Sequence, residues 1–173
     1  MTLPLDETAL ESIEAFRAAG ASLVDALDGR VRAAQLVSGA TLLFPTDLAT
    51  RATVAAGLRL LAELTARSGR SFAVLAGFES TPHESLDDHD YIGRLVVRLN
   101  VGQLVVVGDA GRHIHAAAGL EGSWDGESVI VASAVEAYDL VRGNVRDSDV
   151  VLVMGATAAG LDRLSERLVG SVE

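Results

Sequence analysis

The sequence predicts an α/β fold, a three-layer Rossmann-like sandwich around a mostly parallel, doubly wound sheet of about six strands. Short apolar runs alternate with amphipathic helical segments four times after residue 70. These runs are continuously apolar, as expected for parallel strands that are covered on both faces. Two extended segments around a Ser-Gly pair precede them and predict an N-terminal β-hairpin. Right-handed crossovers between the parallel strands would then place helices on both faces.

A short helical segment is predicted ahead of the hairpin. Apolar residues recur at helical spacing within residues 6–19, and Gly20 can end that helix. Residues 22–28 predict a second, shorter helical piece. We therefore divide the chain into a helical segment, residues 1–29, and an α/β domain, residues 30–173.

The hairpin is predicted from residues 30–37 and 40–44, with Ser38 and Gly39 at its turn. A long helix should follow, and Thr46 is placed to cap it. Its apolar stripe consists of Val54, Leu58, Leu61 and Leu64.

Four strand-to-helix units complete the domain. The predicted strands are residues 72–76, 104–107, 129–131 and 150–154. The third unit carries a clear helix start, because Ser133 and Glu136 have the spacing of a capping box.

In such a sheet, ligands bind at the carboxyl ends of the parallel strands. The segments expected there are Phe44–Asp47, Gly77–Asp88, Gly108–Arg112, Ala132–Ser133 and Gly155–Thr157. The segment 77–88 is the longest of them, and it is polar and acidic. It is therefore the best candidate for a mobile or partner-contacting loop.

Composition excludes several classes of function. All 14 basic residues are arginine, so no lysine is present to contact a γ-phosphate or to form a Schiff base. The absence of cysteine excludes disulfides, thiolate zinc sites and cysteine nucleophiles. The net charge of −10, without a basic stripe, argues against a nucleic-acid partner. No apolar run could span a membrane and no signal peptide is evident, so we expect a cytoplasmic protein.

Two segments have alternative interpretations. The turn Gly108–Gly111 follows a strand and opens a helix, as phosphate-binding turns do, but Asp109 is more simply a helix cap. Residues 83–90 contain two histidines and four carboxylates that a metal ion could use. The simpler interpretation is an acidic first helical turn, with Ser85 and Asp88 at capping-box spacing.

Two stretches match a family pattern. Val74-Leu75-Ala76-Gly77-Phe78, followed by Ser85, His89, Ile92 and Gly93, fits approximately V-L-G-D-M-x-E-L-G-x-x-S-x-x-x-H-x-x-V-G. The run Asp149–Thr157 fits D-x-V-L-V-K-G-S-R. On these motifs, residues 30–169 resemble the C-terminal domain of Mur ligases, closest to the MurF-like type that adds D-alanyl-D-alanine to the peptidoglycan precursor. Residues 1–28 resemble the helical end of the family's central ATPase domain.

The departures from this pattern fall on functional positions. The family segment D-D-x-Y-N-A-N-P corresponds to Phe44–Arg51, which lacks the acidic start and both asparagines. The G-D-M turn has become Ala76-Gly77-Phe78. The family lysine at the end of the last strand has become Met154. The resemblance therefore implies a retained fold with a discarded or altered site.

Three functions are compatible with this resemblance. The first is a non-catalytic binding or regulatory module, possibly linked to peptidoglycan precursor synthesis. Its partner would be an unknown protein or the missing Mur-type central domain. The second is the excised lid domain of a divergent ATP-dependent amide ligase, in which ATP and magnesium bind only when the central domain is joined. The third is a small-molecule or nucleotide sensor that uses the turn 108–112.

We expect no catalytic residue and no metal ligand in this chain, and no cofactor bound by the chain alone. The candidate substrate-binding or nucleotide-binding residues are Asp47, Arg51, His89, Asp109, Gly155 and Thr157.

Overall fold

A computed structural model describes most of the α/β domain. The described ranges are residues 31–36, 38–45, 48–66, 69–156 and 159–170. The helical pieces predicted within residues 1–29 lie outside these ranges, and so does the domain boundary drawn there.

The described residues form a six-stranded sheet with the order β1-β2-β6-β3-β4-β5. The strands are β1 Val31–Gln35, β2 Thr41–Pro45, β3 Ser71–Ala76, β4 Gln103–Val107, β5 Glu127–Val131 and β6 Val150–Met154. Only β1 runs antiparallel to its neighbour β2, and all other pairs are parallel. The predicted hairpin and the predicted mostly parallel sheet are both confirmed.

Helices cover both faces of this sheet. They are α1 Arg51–Thr65, α2 Ser85–Arg98, α3 Arg112–Leu120, α4 Ala134–Asn144 and α5 Leu161–Leu168. A single 3-10 turn, Asp109–Gly111, precedes α3. Within the described ranges, no helix has both the length and the apolar character needed to cross a membrane.

Two apolar cores lie on opposite faces of the sheet. Helices α1, α2 and α3 pack on one face, where Leu58, Ile92 and Ile114 are fully buried. Helices α4 and α5 cover the other face through residues such as Val141 and Leu164. Successive strand residues alternate between the two cores, and every residue of β3 is buried. This arrangement explains why the strands are continuously apolar in sequence.

Helix α1 begins at Arg51 with Thr50 as its N-cap, so the predicted cap at Thr46 was wrong. The Thr50 side chain accepts from the backbone N–H of Thr53, and the Thr53 hydroxyl accepts from the N–H of Thr50. Thr50 also forms an isolated parallel bridge with Glu79, and this extended backbone delays the start of the helix. The cap predicted at Ser133 is confirmed, since its hydroxyl accepts from the N–H of Glu136.

Two glycines let helices approach their neighbours closely. A Cβ atom at Gly57 in α1 would lie 2.6 Å from the Met154 sulfur on β6. A Cβ atom at Gly93 in α2 would collide with the Ile114 carbonyl oxygen and lie 2.8 Å from the Ala117 Cβ. Any larger side chain at these positions would push the helix away from the core.

A buried carboxylate fastens the amino-terminal edge of the sheet. Asp149, which is 2% exposed, precedes β6 and accepts hydrogen bonds from the side chain and backbone N–H of Arg70, just before β3. It also accepts from the backbone N–H of Arg146 at 2.8 Å. The Arg70 guanidinium continues to the Asn144 carbonyl oxygen at the end of α4. One carboxylate thus joins two neighbouring strands and the segment that enters β6.

We expect Asp149→Asn to lower the free energy of unfolding by about 2 to 3 kcal/mol, because charge-assisted hydrogen bonds are lost at a buried position. Chemical denaturation monitored by circular dichroism measures this change. Asp139→Asn on the exposed face of α4 is the matched control and should leave stability unchanged.

Stability should also depend on pH through Asp149. Burial alone would raise the pKa of this carboxyl, but the hydrogen bonds from Arg70 and from the N–H of Arg146 outweigh it and hold the pKa below its ordinary value. The stabilisation is therefore complete above about pH 4 and is lost as the pH falls further. Equal effects of Asp149→Asn at pH 7 and at pH 2.5 would contradict this account.

Candidate functional site

The carboxyl ends of β2, β6, β3, β4 and β5 lie along one edge of the sheet, as the parallel pairing requires. We call the residues that follow these strands the carboxyl-edge surface. It contains the start of α1, the β3–α2 loop (residues 77–84), the turns after β4, β5 and β6, and the first turns of α2 and α4. The predicted site residues that the structure describes, Arg51, His89, Asp109 and Gly155, lie at or next to this surface. Asp47 and Thr157 lie outside the described residues.

Arg51 is the centre of a polar cluster between α1 and α2. Its Nη1 donates to Asp88 Oδ1 at 3.1 Å, and its guanidinium lies 4.4 Å from the centre of the Tyr91 ring. The other Asp88 oxygen accepts from the Ser80 hydroxyl at 2.5 Å. Arg51 keeps about half of its side chain exposed. The cluster therefore ties the β3–α2 loop to both helices and still presents a cation to solvent.

Asp88 is ionised within this cluster. The hydrogen bond from Ser80 lowers its pKa most, desolvation partly opposes this, and the hydrogen bond and charge of Arg51 lower the pKa further. Because Asp88 is used in this way, the predicted Ser85–Asp88 capping box was wrong. The residue before α2 is Glu84, and its side chain forms no cap hydrogen bond.

His89 is 3% exposed and lies under the β3–α2 loop. Its Nδ1 is 2.6 Å from the Ser85 carbonyl oxygen, and its Nε2 accepts from the backbone N–H of Phe78 at 3.3 Å. The imidazole also stacks on the Phe78 ring, with centroids 4.1 Å apart. Both ring nitrogens therefore have backbone partners, and the ring positions the loop in this arrangement.

Gly155 forms a close backbone contact after β6. A Cβ atom there would lie 2.6 Å from the Ala76 Cβ and 2.7 Å from a Leu161 methyl carbon. The next residue, Ala156, donates its N–H to the Gly77 carbonyl oxygen at 2.7 Å. The turns after β3 and β6 are therefore packed directly against each other, and glycine is needed at this position for the packing alone.

In the turn after β4, one of the backbone N–H groups that a phosphate-binding turn would use already has a protein partner. Gly108 has φ 77°, and its N–H donates to the Val131 carbonyl oxygen at 2.9 Å. Asp109 is exposed, and no side chain caps either the 3-10 turn or α3. The prediction of Asp109 as a helix cap was therefore wrong, because the 3-10 turn delays α3 until Arg112.

The candidate metal ligands within residues 83–90 do not converge on one point in the structure. In the part of the chain that the structure describes, no group of three or more histidine, aspartate or glutamate side chains is placed to hold a metal ion. Asp88 pairs with Arg51, His89 bonds to the backbone, and Asp90 pairs with Arg94 at 2.8 Å.

Met154 ends β6 inside the core beneath α1. It is 2% exposed, and its sulfur contacts the helix at Gly57. Its neighbour on the same face, Leu152, lies in the same apolar core. At the position where the family pattern has lysine, this chain therefore has an apolar side chain that fills a core contact.

Comparisons with known proteins agree with the resemblance carried by the motifs. Over 104 residues the chain is 47% identical to the UDP-N-acetylmuramoyl-tripeptide–D-alanyl-D-alanine ligase of Mycobacterium leprae, a match that covers 58% of this chain and 20% of that protein. It is 40% identical over 131 residues to the ligase of the same name from Mycobacterium tuberculosis, covering 66% of this chain and 26% of the relative. No family model matches the chain.

The fold is also similar to that of MurF ligases of known structure. The structure of MurF ligase from Thermotoga maritima in complex with ADP superposes with a TM-score of 0.63 at 16% identity, covering 83% of this chain and 31% of that one. The homologues are thus MurF-type ligases, and the fold is that of a Mur ligase C-terminal, Rossmann-like domain. The chain spans only 20% to 26% of the length of these curated relatives.

Restoring the family lysine should damage the fold. We expect Met154→Lys to cost at least about 3 kcal/mol of unfolding free energy, because an ammonium group would be buried in an apolar core. Met154→Leu, the matched apolar control, should cost less than about 1.5 kcal/mol. Thermal and denaturant unfolding of the two variants measure the difference, and a lysine variant as stable as the leucine variant would disprove the packing account.

Proposed function

From this relationship to the D-alanyl-D-alanine-adding ligases, we propose that the chain is a non-catalytic Mur-ligase C-terminal-like domain. It acts as a binding or regulatory module linked to peptidoglycan precursor synthesis. The observation that carries the proposal is the environment of Met154. The family pattern has a charged lysine at this position, whereas Met154 is buried and packs against α1 at Gly57. Retained strands with altered loop chemistry favour a binding role over catalysis by this chain.

Exposed apolar side chains on the carboxyl-edge surface support a protein partner. Leu48 lies just before α1, Leu86 in the first turn of α2 and Val135 in the first turn of α4. They are 65%, 58% and 57% exposed. Arginine is enriched at protein-binding surfaces, and Arg51 is exposed at the same edge of the sheet. The partner we propose is a Mur-type central domain or a protein that presents a similar surface.

Arg51 supports a second candidate function, the lid domain of a divergent ATP-dependent amide ligase. Its guanidinium has only one carboxylate partner among the described residues and stays half exposed at the edge of the sheet. A guanidinium binds phosphate oxygens well and could serve where lysine is absent. ATP and magnesium would then bind between this domain and a central domain, and the chain would contribute Arg51 to the closed complex.

We expect the chain alone to show no turnover with ATP, magnesium and Mur-ligase substrates, because the proposed function requires no chemistry from it. Phosphate release and product formation, followed by mass spectrometry, measure this. The full-length Mycobacterium tuberculosis ligase is the positive control. Ligation or ATP hydrolysis by this chain alone, above the background of an Arg51→Ala variant, would overturn the proposal.

The genomic reading frame separates the two candidates. If it continues upstream into a domain that contains G-x-x-G-K-[ST], the lid-domain function is favoured. If the frame begins at Met1, the free-standing module is favoured.

A partner recovered by pull-down should bind through the carboxyl-edge surface. We expect Leu86→Asp to weaken its affinity at least about tenfold, because a charge would be desolvated at the contact. Leu120→Asp is the matched control. Leu120 is 85% exposed, but it is the last residue of α3 and so lies at the end of that helix away from the carboxyl-edge surface. Equal affinities of the two variants, measured by calorimetry, would place the contact elsewhere.

A further inference from the structure

Helix α2 carries a row of polar side chains on the side that faces away from the sheet. Its buried residues, which include Ile92, Gly93 and Val96, face the core. Five other residues recur at spacings that place them together on the opposite side of the helix. We call them the charged stripe: Asp87, Asp90, Tyr91, Arg94 and Arg98. They line a cavity of about 320 Å³ that side chains of a facing molecule can enter.

The charges are ordered along this stripe. Asp87 and Asp90 lie in the first half of α2, and Arg94 and Arg98 lie in the second half. An acidic first turn and a basic last turn stabilise the helix through its macrodipole. The same order makes the outer surface of α2 acidic at one end and basic at the other.

The middle of the stripe is held by contacts within the chain. Arg94 Nη2 donates to Asp90 Oδ2 at 2.8 Å, and Arg94 Nε lies 3.9 Å from Glu121 Oε1, just after α3. The Tyr91 hydroxyl accepts from Arg59 Nη2 of α1 at 3.1 Å. The stripe is therefore fixed between the two neighbouring helices of this face.

The two outer charges of the stripe have no such contacts. Asp87 and Arg98 are both exposed, and neither forms a hydrogen bond or an ion pair with another residue in the described ranges. They lie three helical turns apart, about 16 Å along the axis, so they cannot reach each other. A second α2 running antiparallel to the first would place Asp87 of each copy opposite Arg98 of the other.

The same arrangement is complementary near the middle of the stripe. Tyr91 and Arg94 are equally distant from its midpoint, as Asp87 and Arg98 are. In an antiparallel pair, Tyr91 of each copy therefore lies opposite Arg94 of the other, and a guanidinium is attracted to an aromatic ring. Every such contact occurs twice about a two-fold axis. The stripe is thus its own electrostatic complement.

We propose that the charged stripe is a self-association surface, through which two copies of this chain pack their α2 helices antiparallel about a two-fold axis. The contact neutralises both ends of each stripe, and the two helix macrodipoles oppose each other. The ion pairs are solvent-exposed, and the net charge of −10 on each copy opposes association. The dimer is therefore weak and forms at high protein concentration.

Sedimentation velocity of the full chain tests this association. At about 0.1 M salt the Debye length is about 10 Å, which screens the overall repulsion more than the contacting pairs. Under this condition a monomer–dimer equilibrium should be seen as the protein approaches about 1 mM. At about 1 M salt the Debye length is about 3 Å, and the dimer should weaken. A parent chain that stays monomeric at about 1 mM overturns the proposal.

Charge reversal identifies the surface. Asp87→Arg and Arg98→Asp each place like charges opposite each other at both ends of the interface, so each should lower the association constant at least about tenfold. A mixture of the two single variants should form a heterodimer, because one stripe is then basic at both ends and the other acidic at both ends. The double variant restores opposite charges in reversed order and should associate as the parent chain does.

Asp139→Arg is the matched control. It makes the same change of charge as Asp87→Arg, but on the exposed side of α4, which covers the other face of the sheet, and it should not weaken association. Circular dichroism checks that each variant is folded. Equal effects of Asp87→Arg and Asp139→Arg, or a mixture of the single variants that stays monomeric, would overturn the proposal. The concentration and salt series on the parent chain decides the matter even if the double variant does not fold.

Discussion

The pairing of β6 between β2 and β3 is the interaction on which the rest of the molecule depends. β6 is the last strand among the described residues, yet it lies near the centre of the sheet and joins the hairpin to the other parallel strands. Asp149 fixes its register through Arg70, and Gly57 lets α1 pack closely over its end. Because these contacts join distant parts of the sequence, the sheet is complete only when residues 150–154 are in place.

The same strand explains why a family motif can survive without its chemistry. In the run Asp149–Gly155, the carboxylate fastens two strands, the apolar residues fill both cores, and the glycine permits contact with Ala76. Each of these requirements is structural and holds whether or not a ligand binds. A resemblance that rests on such residues is therefore strong evidence for the fold and weaker evidence for activity.

Periodicity predicted the strands, the hairpin and the helices of the described domain because these depend on local apolar patterns. The caps at Thr46, Asp109 and Ser85 were predicted wrongly, since a β-bridge, a 3-10 turn and a tertiary ion pair decided those positions instead. The cluster of Arg51 with Asp88 could not be read from the sequence. Its members are 37 residues apart and meet only because α1 and α2 lie side by side.

The antiparallel hairpin determines where the first part of the chain is attached. Val31 at the start of β1 lies opposite Pro45 at the end of β2, so residues 1–30 join the domain at its carboxyl edge. A partner joined to the chain ahead of Val31 would therefore be attached at the edge that carries Leu48 and Arg51. A short tether produces an effective concentration in about the millimolar range. Contacts too weak to hold two separate molecules together would then suffice within one chain. The carboxyl-edge surface would therefore need little intrinsic affinity for a tethered partner.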